Sequence, residues 1–263
     1  MKLLFFFFIK MILSPLNLMA SENEEIIIHY QVRPPYYMID ENTKNLKDGT
    51  LFKNLDKVFK NLNVKYEFHE FPAARTHIVI KENKLNVCSG YAILSNIRKN
   101  YGIYSVPFYQ DKPYIIVTRK DDTRFDKYST LNEIMLDYSL VMLVKFRFSY
   151  GKYVDELLLK NKKYTIDSSR LEDDLGNGLK LTFVENSNML QQIIMNRADY
   201  MIMSENEFSY FKNNSIEMNK NLAFKKVNDI KVGNKRTLFC SKKMDGNLIK
   251  KINKLIIKNL GNI

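Results

Sequence analysis

The stretch Ile26-Ile27-Ile28-His29-Tyr30-Gln31-Val32-Arg33-Pro34-Pro35-Tyr36-Tyr37-Met38 decides how the rest of the chain is read. Its β-branched opening, Ile26–Tyr30, predicts a strand. The strand passes into a loop stiffened by Pro34 and Pro35, each of which favours an extended backbone in the residue before it. Beyond Gly49, the residues Leu51, Phe52, Leu55, Val58, Phe59 and Leu62 recur at helical spacing. Lys53, Asp56, Lys57 and Lys60 take the opposite face, so this segment reads as an amphipathic helix packed on the strand. The alternation continues outward. Val64–Phe68, Leu85–Ser89, Tyr114–Thr118, Leu140–Val144, Leu181–Val184, Tyr200–Met203 and Arg236–Cys240 read as strands, and a last helix carries Leu248, Ile249, Ile252, Leu255, Ile256 and Leu260. Such a series predicts an α/β protein with sheets flanked by helices.

Two polar stretches break the series. Arg119–Tyr128 is densely charged and reads as a connection between domains. Lys225–Lys235 contains Gly233 and precedes the Arg236–Cys240 strand. Two such crossings imply that the chain leaves a first lobe, builds a second and returns, leaving a cleft between them.

The 263 residues are 45% hydrophobic and 27% charged, which describes a folded chain rather than a disordered one. The formal charge of +12 comes from 32 Lys and 9 Arg spread along the whole sequence. No basic block stands out, so the charge reads as compositional bias and nucleic-acid binding ranks last. At the N-terminus, Lys2 precedes the apolar run Leu3–Ile9 and Met11–Leu13, followed by Pro15 and the small residue Ala20. This pattern predicts a secretory signal peptide over Met1–Ala20, too short and too interrupted by Lys10 to span a bilayer. Cys88 and Cys240 are an even pair in an exported chain, which permits one disulfide; two unbonded buried thiols is the other reading. His29, His69 and His77 are dispersed and no C-x-x-C occurs, so neither a metal nor a cofactor is expected. No Ser/His/Asp arrangement or phosphate loop is visible.

The run Tyr30–Met38 resembles the first strand and aromatic loop of bacterial extracellular solute-binding proteins, family 3. Ser95-Asn96-Ile97-Arg98, followed by Tyr104-Ser105-Val106-Pro107-Phe108-Tyr109, is similar to that family's T-x-x-R … F-S-x-P-Y signature. Asn196-Arg197-Ala198-Asp199-Tyr200 resembles its G-R-x-D-A turn. The resemblance implies a two-lobed type 2 periplasmic-binding fold with two linker strands and a cleft that closes on a small solute. It places lobe one at 24–118 plus 225–263, lobe two at 119–224, and Cys88 and Cys240 on neighbouring strands of lobe one. It also implies a monomer in the periplasm that binds an amino acid or related carboxylate, delivers it to an ABC permease and does no chemistry.

Carried over residue by residue, the resemblance makes Arg98 the group that grips a ligand carboxylate, as a planar guanidinium does through two parallel hydrogen bonds. One of Tyr36 and Tyr37 would wall the cleft while the other packs in the core. Arg75 would add a second positive group. Ser149 and Tyr150, before Gly151, would offer a hydroxyl and backbone N–H groups at a helix start. Tyr91 and Ile93 stand where amino-acid binders carry hydroxyl residues, and Ser204 stands where they carry the Asp for the ligand ammonium, with Glu205 next. Those departures put an ordinary α-amino acid in question. Two competing readings are a dehydratase-like enzyme on the same scaffold, with Glu205 as general acid, and a sensing or partner-binding protein without a transport role.

Overall fold

The computed structural model describes residues 25–166 and 177–263; the expected signal peptide, Met1–Ala20, lies outside the described residues. Among the described residues, thirteen strands form two larger sheets and a small ribbon. The first sheet contains β1 (Ile26–Tyr30), β4 (Tyr66–Glu70), β5 (Val87–Ile93), β6 (Gly102–Tyr104), β7 (Tyr109–Gln110) and β13 (Lys235–Ser241). The ribbon is β2 (Met38–Ile39) with β3 (Leu46–Asp48). The second sheet contains β8 (Tyr114–Arg119), β9 (Met142–Lys145), β10 (Leu179–Thr182), β11 (Tyr200–Ser204) and β12 (Leu222–Lys225). In the first sheet β1 lies parallel to β4 and β5, and β13 runs antiparallel to β5, β6 and β7. In the second, β9 lies parallel to β10 and β11, while β8 runs antiparallel between β11 and β12.

Helices cover both sheets. On the first lie α1 (Thr50–Phe59), α2 (Ala73–Glu82) and α8 (Gly246–Leu260); on the second, α3 (Leu131–Leu136), α4 (Lys152–Lys162), α5 (Asn186–Ile194), α6 (Glu205–Asn214) and α7 (Ile216–Asn221). Each lobe has its own core. Ile26 and Ile28 of β1 pack with Leu51, Leu55, Val58 and Phe59 of α1 and with Leu248, Ile252 and Ile256 of α8. Both faces of the second sheet are buried, Met142 and Val144 on one side and Ile115, Val117 and Leu143 on the other. Among the described residues, no helix is long and apolar enough to cross a membrane.

The first crossing between lobes comes earlier than the sequence reading placed it. Tyr114–Thr118, assigned to lobe one, belongs to β8 of the second sheet, and the chain crosses between β7 and β8 at residues 111–113. The charged segment after Arg119 is no linker, because its charges neutralise one another. Arg119 pairs with Asp122 and Asp199 at 2.9 Å each, and Arg124 pairs with Asp122 at 2.6 Å, which pins the loop to the second lobe. The chain returns between β12 and β13. The two crossings lie side by side, Asp111 N–H donating to the Asn234 carbonyl at 2.9 Å. Gly233 is required at this approach: a Cβ there would sit 1.8 Å from the Asp111 carbonyl oxygen. Cys88 and Cys240 face each other on β5 and β13 and are joined by a disulfide.

Candidate functional site

Arg98 begins a single 3-10 turn after β5, on the border between the lobes, and is only 3% exposed. Its Nη2 donates to the main-chain carbonyl of Arg147, in the second lobe, at 2.8 Å, while its Nε is buried without a partner. Arg147 follows β9 in the left-handed backbone region (φ 55°), and its own N–H donates to the Tyr164 hydroxyl at 3.0 Å. Its guanidinium lies 5.2 Å from the Phe146 ring centroid, and its Nε is also buried and unpartnered. From α2 the His77 ring presents a third such atom, Nδ1. Burial, then the charges of Arg98 and Arg147, hold the His77 imidazole well below its usual pKa, so it is neutral at pH 7.

These groups share a groove of about 580 Å³ between the lobes, with Ala74, Ile78, Lys81, Glu82, Tyr101 and Ile166 completing its wall. Three cations, Lys81, Arg98 and Arg147, face one carboxylate, Glu82. Buried donors that lack acceptors are costly unless something accepts from them. A groove with a positive balance and orphaned guanidinium N–H groups is chemically suited to an anion. Among the described residues, no cluster of three His, Cys, Asp or Glu side chains could hold a metal ion.

Arg75 does not contribute. It is exposed on α2, whose groove face is formed by Ala74, His77, Ile78 and Lys81 at three- and four-residue spacing. Tyr36 and Tyr37 are both buried, in different roles. The Tyr37 hydroxyl donates to the Gly90 carbonyl at 2.5 Å within the first core. The Tyr36 hydroxyl reaches across, donating to Asp111 at 2.8 Å and sharing a 2.8 Å hydrogen bond with Ser204 Oγ of the second lobe. Tyr91 and Ile93 lie in β5 and are buried. Ser149 Oγ is engaged by Asp155 at 2.5 Å and by the Gly151 N–H at 3.2 Å. The Tyr150 hydroxyl accepts from the Lys145 N–H at 2.9 Å. Ser204 caps α6.

Glu205 is half-buried and pairs with the exposed Lys226 at 2.9 Å. The carboxylate that enters the cleft is Glu207, fully buried in a bidentate pair with Arg33 of the first lobe (Nε–Oε1 2.7 Å, Nη2–Oε2 2.8 Å). Asn186 Nδ2 also donates to Glu207 Oε1, at 2.6 Å. Burial alone would lower the Arg33 pKa, but the charge and hydrogen bonds of Glu207 outweigh it and raise it. Ser204-Glu205-Asn206-Glu207 has the S-x-x-E spacing of a helix start, and the Glu207 N–H does donate to the Ser204 hydroxyl, but the carboxylate goes to Arg33 and Asn186 rather than back to the cap, so the spacing did not foretell its role. Arg147 and His77 had no legible signal, because their importance comes from a left-handed backbone turn and from a helix face seen only in three dimensions.

No protein-family profile matches the sequence, and no curated protein does. Solved structures share the architecture. Holo ArgBP from T. maritima superposes with a TM-score of 0.65 at 16% identity, over 89% of this chain and 90% of that one. An arginine 3rd transport system periplasmic binding protein from Legionella pneumophila gives 0.62 at 18% identity, over 89% and 92%. An ancestral amino acid-binding protein, a precursor of cyclohexadienyl dehydratase, gives 0.63 at 15% identity, over 91% and 92%. The chain therefore has the two-lobed periplasmic-binding fold expected from its sequence.

Proposed function

We propose that this protein is a periplasmic solute-binding protein that captures a small carboxylate-bearing anion between its lobes for an ABC importer. The observation that carries the reading is Arg98, buried at the lobe boundary with one N–H on the second lobe and another unsatisfied, lining a groove together with Arg147 and Lys81. A carboxylate there would accept from both lobes at once. Contacts to both lobes favour closure, because a ligand shifts a hinge equilibrium only by its differential affinity for the closed form.

Two of the solved neighbours are arginine-transport or arginine-binding proteins by name. Transfer of a cationic ligand to this chain is disfavoured by Glu207, which Arg33 already occupies. The dehydratase reading is disfavoured on similar grounds: Glu205, its general acid, is already paired with Lys226. A thermal-shift screen of the purified protein against acetate, succinate, citrate, glutamate, glutamine and arginine tests the proposal. At a hundredfold excess over the dissociation constant, a bound anion should stabilise by about 2.7 kcal/mol. Stabilisation by arginine, a net cation, but by none of the anions would overturn the reading.

A further inference from the structure

Arg33 leaves the loop after β1 and ends in the other lobe. Its guanidinium meets both oxygens of Glu207, lies 4.8 Å from the Phe148 ring centroid and 5.5 Å from that of Tyr36. The walls of this box are fixed by contacts that do not involve Arg33. Glu207 is oriented by Asn186, the Tyr36 hydroxyl is tied to Asp111 and Ser204, and the Phe148 ring packs edge-on against Tyr150 at 5.2 Å. A carboxylate, an amide and two aromatic faces together form a receptor for a planar cation, since bidentate pairing and ring contact both select guanidinium.

We infer that Glu207, Asn186, Tyr36 and Phe148 form a guanidinium-binding site in the cleft, permanently filled by the chain's own Arg33, which thereby excludes free guanidinium and ammonium solutes. Tethering decides the competition. A side chain anchored a few bonds away acts at high effective concentration, so a free cation at low concentration does not displace it. Once Arg33 is shortened, Glu207 is left buried with its two oxygens short of a cation, and a free guanidinium gains the contacts Arg33 made. The inference does not depend on the anion groove at Arg98, so either can fail alone.

The test uses methylguanidinium, with uncharged methylurea as the isosteric control, on the wild-type protein, Arg33→Ala, Arg33→Gln and Arg33→Ala/Glu207→Gln. Calorimetric titration should show methylguanidinium binding to R33A at least about tenfold tighter than to wild type. Methylurea should bind neither, and the added Glu207→Gln change should abolish the gain. If R33A does not fold unaided, its refolding yield in low-millimolar methylguanidinium, compared with methylurea, gives the same readout. R33Q keeps an amide donor for Glu207 and should show a smaller gain of the same sign. The inference is overturned if neither Arg33 variant responds to methylguanidinium more than wild type does, or if wild type already binds it as tightly as R33A.

Discussion

Removing the Cys88–Cys240 bridge should be among the most damaging changes this protein can suffer outside its cleft. The two half-cystines are register partners on β5 and β13 and are fully buried. β5 is built before the chain enters the second lobe and β13 after it returns, so the bond closes a loop spanning 152 positions that contains the whole second sheet. Loop-closure entropy for that separation amounts to about 5 kcal/mol at 25 °C. Cys88→Ala/Cys240→Ala removes the cross-link without burying a new polar group. With a urea slope of about 2.5 kcal/mol per molar, the unfolding midpoint should fall by roughly 2 M. The chain has no Trp and 16 Tyr, so far-UV circular dichroism with tyrosine fluorescence is the suitable pair of probes. A midpoint lowered by less than about 0.3 M would refute the reasoning, because the cross-link would then do little to restrict the unfolded chain.

Asp155, in the first turn of α4, accepts from the Ser149 hydroxyl and the Tyr150 N–H, yet burial outweighs both and raises its carboxyl to about 6. The folded state thus holds this proton more tightly than the unfolded chain, whose value is 3.8. The stabilisation is complete below that lower value and lost as pH rises through 6, about 3 kcal/mol in all. Asp155→Asn should therefore gain on wild type by about 2–3 kcal/mol between pH 4 and pH 7 in paired urea titrations; a gap that does not change with pH would contradict this. Gly233→Ala forces a methyl group against the Asp111 carbonyl where the crossings meet, and should cost about 1–3 kcal/mol in thermal unfolding. An unchanged melting temperature would mean that the crossings separate freely.

The strand and helix series was legible because hydrophobic periodicity reports local burial directly. Leu51, Leu55, Val58 and Phe59 of α1, and Leu248, Ile252 and Ile256 of α8, are buried where the pattern put them. The pairing of β8 was not legible. Tyr114–Thr118 reads as a strand in either lobe, and only the sheet partners β11 and β12 decide between them. Charge density misled at Arg119–Tyr128, since a run of opposite charges reads the same in sequence whether it is solvated or internally paired. Arg98 could be singled out through a motif. Arg33 stood within the quoted stretch with no role, because its partner Glu207 lies 174 positions away. Glu205 and Glu207 differ by two places on a helix, enough to send one side chain to Lys226 at the surface and the other into the cleft.

The central claim is that Arg98 holds an anion between the lobes. Titration calorimetry of wild type and Arg98→Ala with whichever carboxylate stabilises the wild-type protein tests it most directly, with circular dichroism to confirm that both are folded. Loss of a charge-assisted pair of hydrogen bonds should weaken binding by roughly a hundredfold, about 3 kcal/mol. An Arg98→Ala protein that is folded and binds the same carboxylate within twofold of wild type would contradict the account.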